Sequence, residues 1–409
     1  MYKILLVIIV AFHLSLQAQD IEIKSLKTYR TGDATSYPVL IFNEDIESTV
    51  TIEFDIQADT EPNLSIVFRF CDKNWQPYDN IFLANQGYNT AYNLWYDKLP
   101  VTVRDAKYHF HGTFPNFDVT FPFSGKWSYF ITDSFDTSYV YAEGRFVVVI
   151  PEVELRSSIR QERHQTMSLS AGSLERVFNI TVALDLPDPL FPQFVDEVEI
   201  VENHKTDFPY FIGRESYGDL RYYEWDGNRK FSFTARDIPP GNEYRTADLR
   251  DKNRFVPPDV NAQYDGVETS RYYIPGKDDL NGGSKLSDFN DPNSEYMYVL
   301  FSLRQPEDFD SNIFISGSFN DWCASPYYKM YEDDGLYKIT LELKRGIYDY
   351  QYVAADLFNN RISNIDWQIL EGNFWETGNI YHIFLFYKEE LLGGYDKIIG
   401  YKQIYSGDL

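Results

Sequence analysis

Apolar residues recur at every second position through most of this chain, and almost nowhere at the three-and-four spacing of an amphipathic helix. Residues 51–57 alternate cleanly, and Leu64, Ile66, Phe68 and Phe70 repeat the period. That spacing sends alternate side chains to opposite faces of an extended strand. Residues 107–114, 126–132 and 145–150 read as further strands, with turn signals at Pro115-Asn116 and Ser124-Gly125. Trp75, in the loop 71–80, is expected to pack inward. Residues 177–184, 195–202 and 230–235 continue the pattern after a proline-marked shift at Pro151.

The sharpest stretch is 312–354. Ile313 and Ile315 alternate with polar neighbours, Gly317 opens a loop through Asn320 and Trp322, and Glu332-Asp333-Asp334-Gly335 reads as a hairpin turn. Tyr337, Ile339, Leu341 and Leu343 then share one face, and Lys338, Thr340, Glu342 and Lys344 the other. Gly346 is expected to make a second turn before Tyr348, Tyr350 and Tyr352. Residues 371–387 and a last strand near 397–401 follow. The expectation is an all-β protein of tandem immunoglobulin-like, early-set sandwiches. Its parts are a leader (1–18), an N-terminal sandwich (19–150), a middle β-rich domain with long loops (151–291) and a C-terminal sandwich (292–409). Residues 278–287 (DDLNGGSKLS) read as a linker or loop tip.

Charge narrows the function. Lys plus Arg number 37 against 62 Asp plus Glu, a formal −25 that repels phosphate backbones and anionic lipid. Residues 1–18 place Lys3 before an apolar run and end on Ala18, the order of a secretory leader, with cleavage expected after Ala18 or Gln19. No later stretch has the roughly 18 apolar residues of a membrane helix. Cys71 and Cys323 lie far apart in sequence and are expected as separate thiols, since pairing would need two domains to touch.

Chemistry is hard to find. His109 and His111 share a strand face, but sequence places no third metal ligand beside them. Asp333-Asp334-Gly335 lacks the spaced ligands of a calcium loop. There is no nucleophile elbow and no phosphate-cradling glycine loop. Neither an enzyme nor a cofactor is expected.

Two resemblances add to this. Gly317, Phe319, Asn320 and Trp322, followed by Gly335, Gly346 and the tyrosines 348–352, resemble early-set modules of glycogen-binding and starch-branching proteins. That implies the fold and, as an alternative function, carbohydrate binding. Trp322 is nevertheless expected as a core plug, because large aromatics are usually buried. The second resemblance spans nearly the whole chain, to the plug protein family of the type 9 secretion system of Bacteroidota. It rests on residues 70–75 (FCDKNW, with Trp75), Gly87-Tyr88-Asn89, Phe114-Pro115-Asn116 and Ser124-Gly125. It continues in Gly241-Asn242-Glu243-Tyr244-Arg245, in 343–350, in Glu371-Gly372-Asn373-Phe374 and in 376–381. Phe70 stands where that family usually has His, and Gly378 departs from the pattern. The resemblance implies a periplasmic, non-enzymatic protein, monomeric before binding. It would associate with the large outer-membrane β-barrel translocon and seal its periplasmic opening. Glu243 and Arg245 are expected to pair locally at a domain junction rather than to face a partner.

Overall fold

The computed structural model describes residues 21–43, 46–163, 176–264, 266–270, 278–304 and 309–408. It is all-β as the alternation predicts, with short 3-10 turns the only helical pieces among those residues. The strands form three sandwiches.

The first stacks a four-stranded sheet on a six-stranded one. The smaller sheet runs Glu22–Arg30, Val50–Gln57, Tyr108–Phe114, Tyr96–Lys98. The larger is centred on Val140–Val149, Gly125–Asp133 and Leu64–Cys71. Their inward positions interleave Ile52, Phe54, Ile56, Phe68, Trp127 and Phe146 in one core. Apolar burial of this kind contributes about 1.5–3 kcal/mol per large side chain.

The second sandwich has one sheet of Arg156–Arg163, Arg176–Asp185, Lys230–Ile238 and Arg221–Trp225. Its other sheet joins Tyr210–Gly213 and Val195–Glu202 to Ile380–Glu389 and Tyr395–Tyr405, strands from the end of the chain. The third sandwich packs Tyr296–Arg304 and Leu336–Lys344 against a sheet built around Gly346–Phe358. That central strand also pairs with Arg245–Asp248, Ser284–Leu286, Asn312–Gly317 and Arg361–Asp366. Residues 241–377 are thus an insertion within the second sandwich.

This grouping differs from a division at 291/292. Period and turn residues reveal that 380–389 is a strand but not which strand it pairs with. Its partner Val195–Glu202 lies across a long insertion, registered Ile200 to Ile383. The segment 278–287 also differs from a loop tip: Gly282, Gly283 and Ser284 are buried, and Ser284 pairs with Tyr348.

Four finer expectations have separate outcomes, two met and two not. Gly335 closes the hairpin at φ +73°, behind Asp334 at φ +53°, with its N–H donated to Glu332 Oε1 at 2.8 Å. Gly346 is instead the first residue of a strand, where a Cβ would come within 2.8 Å of the Lys285 carbonyl. Lys344, placed by alternation on a polar face, is buried, because that face packs on the first sandwich. Cys71 and Cys323 are both free thiols.

The sandwiches also pack on one another. Tyr37, Val39, Val147 and Val149 of the first meet Val201, Phe384, Phe386 and Ile398 of the second. Leu99, Val103 and Ala106 meet Tyr296 of the third.

Candidate functional site

The chain leaves the second sandwich near Gly241 and returns near Asn379, and at this double crossing the two signature segments meet. Gly241 sits at φ +72° with open space around its missing Cβ, so conformation rather than room calls for glycine there. Its N–H donates to Asn373 Oδ1 at 2.9 Å and its carbonyl accepts from the Phe374 N–H at 2.7 Å. Asn242 Nδ2 donates to the Glu371 carbonyl, and Gly372 takes φ +88° on the opposing segment. Glu243 Oε1 accepts the Gly378 N–H at 2.8 Å, and Asn379 Nδ2 donates to the Pro240 carbonyl at 2.7 Å. Asn203 Nδ2 joins the second sandwich to both segments, donating to Asn379 Oδ1 and the Tyr244 hydroxyl.

Arg245 anchors the third sandwich's side. Its Nε donates to both Glu371 oxygens at 3.0 and 2.9 Å, Nη1 to Glu268 at 2.9 Å, and Nη2 to the Thr269 carbonyl. The guanidinium also lies 5.0 Å from the Tyr352 ring centre. Burial works against this cation, yet Glu371 and Glu268 outweigh it and hold the guanidinium more firmly protonated than in water. Glu243 has the reverse balance: burial and the neighbouring Asp279 push its carboxyl up to about 7. Nearby Asp349 is pushed up too, by burial and again Asp279, although it accepts the Leu280 and Gly282 N–H groups.

Trp322 stands beside this junction, 1% exposed, its indole N–H donated to the Gly282 carbonyl at 2.8 Å and its ring 4.3 Å from Tyr244. Lys205 fills the space between Trp367, Tyr244 and Trp322 and is bonded to Glu202 at 2.8 Å. Asn320 Oδ1 accepts the Gly317 N–H, closing the Gly-x-Phe-Asn-x-Trp loop on itself.

Trp75 lies apart from the junction, where the first and second sandwiches meet. It takes φ +65°, with the Lys126 ammonium 4.7 Å and the Arg145 guanidinium 5.3 Å from its ring. Ala18 and Gln19 fall outside the described residues. His109 is bonded through Nδ1 to Asp55 at 2.7 Å and stacks on Phe289, while His111 is exposed. Among the described residues no group of three side chains could hold a metal ion.

Two features escape the sequence pattern. Ion pairs are buried between sandwiches: Lys126 with Glu199 at 2.8 Å and Lys344 with Asp55 at 2.7 Å. Asp55 and Lys344 sit on strand faces that alternation assigns to solvent, and only the docking of two sandwiches buries them. The second is a cleft of about 330 Å³ where all three sandwiches approach, with Lys27, Arg145, Asp207, Asp321 and Trp322 among its walls.

Residues 23–150 match the family model described as the Type 9 secretion system plug protein 1st domain. The match covers the first sandwich. A solved structure of a hypothetical protein from Parabacteroides merdae ATCC 43184 superposes with a TM-score of 0.74 at 20% identity. It covers 95% of this chain and 98% of that one, so the three-sandwich fold is shared along its length. A bacterial 1.5-MDa ice-binding adhesin, 9% identical over 93% of this chain and 96% of that one, has a TM-score of only 0.15, so the two do not share a fold. No curated protein matches the sequence. Among the described residues no helix is long and apolar enough to cross a membrane.

Proposed function

We propose that this chain is a non-enzymatic, periplasmic component of the type 9 secretion system that binds the outer-membrane translocon barrel and closes its periplasmic opening. The observation that carries this is the match of residues 23–150 to the first domain of plug proteins. A body that blocks a wide opening needs a broad contact, and a stable specific interface buries about 1,200–2,000 Å². Three sandwiches joined by apolar contacts, two buried ion pairs and a double crossing can present such a face with little ordering on binding. In this reading the signature residues 241–245 and 371–374 serve the partner indirectly, by fixing the inserted sandwich on its host. The acidic surface steers the monomer towards basic patches, and the leader 1–18 is removed after Ala18 or Gln19.

Carbohydrate binding by the third sandwich has less behind it, since the tryptophan that would serve as a platform is buried with its N–H occupied. The deciding experiment purifies a tagged chain from its native host and tests the permeability of a deletion strain. The expected result is co-purification of the barrel, and a barrel that still assembles but leaks when the chain is missing. A barrel that never carries this chain, with an intact permeability barrier in the deletion strain, would overturn the proposal. Retardation in a gel containing soluble glucan would then favour the carbohydrate alternative.

A further inference from the structure

The first sandwich carries an exposed strip that its own fold does not use. Residues 80–96 contain no charged side chain, in a chain where 24% of residues are charged. Within them Ile81, Phe82, Tyr88, Tyr92 and Trp95 are exposed, Trp95 at 90%, and Phe117 joins them at 96%. Hydrogen bonds hold the two loops together. Asn85 Nδ2 donates to the Thr120 and Tyr88 carbonyls, and the Thr120 N–H donates to Tyr88. Asn89 bridges Val119, one turn from Phe117. The same surface runs on to the second sandwich, where Asn80 Nδ2 donates to the Leu392 carbonyl.

We infer that this strip is the docking surface for the protein partner, and that the partner meets it with an apolar, uncharged recess. The inference rests on the proposed function and names the surface through which it acts. Area supports it: at about 200 Å² for a fully exposed large side chain, the six residues present roughly 850 Å², near the 800 Å² that each side of a standard interface contributes. Monomers rarely leave so large an apolar patch to water. Composition supports it as well. Aromatic rings interleaved with the exposed amides of Gln86 and Asn93 are the mixture that protein recognition favours, rigid apolar anchors beside adaptable polar groups. Charge argues against the commonest alternatives: a basic partner site would select carboxylates here, and a bilayer would also have to take up the exposed amides of Gln86 and Asn93.

The test uses the full chain and the detergent-solubilised barrel. One variant carries Phe82→Ser, Trp95→Ser and Phe117→Ser. A control carries Tyr264→Ser, Tyr327→Ser and Phe358→Ser, equally exposed on the third sandwich. All six side chains lie outside the cores, so both variants should unfold like the wild type. The expected result is a loss of at least about tenfold in affinity for the strip variant, with the control unchanged and the rate of dissociation of the wild type insensitive to salt. Equal binding by all three proteins would overturn the inference and leave the proposed function standing. Failure of the wild type to bind the barrel would remove both. Flotation of the wild type with zwitterionic vesicles, or a dimer that the strip variant dissolves, would give the surface to a bilayer or a second copy and would also overturn it.

Discussion

Gly335 and Gly346 are the same residue type required for opposite reasons. Gly335 has open space but a left-handed backbone, so alanine there meets only the intrinsic cost of that conformation, roughly 1–2 kcal/mol. Gly346 has an ordinary backbone and no space, with Lys285 O at 2.8 Å and Leu286 Cα at 3.0 Å from a would-be Cβ. Gly346→Ala must push Ser284–Leu286 away from the central strand, and overpacking of that kind costs about 1–3 kcal/mol. Because Ser284–Leu286 also touches the first sandwich through the Lys27 ammonium on the Ser284 carbonyl, the shift should spread beyond the third sandwich. Urea unfolding of the full chain should rank Gly346→Ala below Gly335→Ala. The reverse order would mean that this strand yields easily. Sequence marks both glycines as special without distinguishing the causes, since backbone angle and crowding leave the same letter.

At the scale of elements, strands were legible and their partners were not. Val195–Glu202 is delimited by its own pattern, and Asp334-Gly335 announces its hairpin, because both depend on neighbours a few residues away. The pairing of Val195–Glu202 with Ile380–Glu389 depends on residues far along the chain, and no local period encodes it. The signature segments were visible as residue strings, yet their meeting across the double crossing needed the fold. That meeting gives a pH prediction. Glu243 is held above its ordinary 4.5 at about 7, by burial first and Asp279 second, with Asp349, Lys205 and its partner Glu202, and Arg245 and its partners Glu371 and Glu268 among the other charges near the junction. A carboxyl raised in this way stabilises the fold fully below its unfolded value, and that contribution is lost as pH rises through its folded value. Glu243→Gln keeps an oxygen for the Gly378 N–H and removes the charge. The variant should therefore be more stable than the wild type at about pH 8 and should gain less on acidification to about pH 5. Thermal unfolding at the two values checks this, and parallel curves for both proteins would contradict it.

At the scale of the whole molecule, the question is whether three sandwiches behave as one. Lys126 leaves the first sandwich and meets Glu199 of the second, both at most 2% exposed, and its ammonium also donates to the Lys73 carbonyl at 2.8 Å. Burial holds the Glu199 carboxyl above its usual range even with that ammonium beside it. On the other side, Asp55 receives Lys344, His109 and the Tyr296 hydroxyl, so the third sandwich is tied to the first by a network rather than a single contact. Burial alone would raise Asp55, but the His109 hydrogen bond and the Lys344 charge outweigh it and bring the carboxyl down. Removing one member of such a pair leaves an uncompensated buried charge and costs about 3–5 kcal/mol, whereas replacing both with apolar residues is often neutral. Domain stabilities are themselves only about 5–15 kcal/mol, so the apolar contacts between the sandwiches, together with these pairs, are enough to make them unfold together. The wild type should accordingly melt in a single calorimetric transition. Lys126→Met should lower it sharply and separate the first sandwich as an earlier event, and Lys126→Met with Glu199→Leu should recover most of the loss. If the single variant melts like the wild type, water reaches the pair and the interface is looser than its geometry; if the wild type already melts in steps, the ion pairs do not unite the sandwiches, and the rigid body needed to block a wide opening is lost with them.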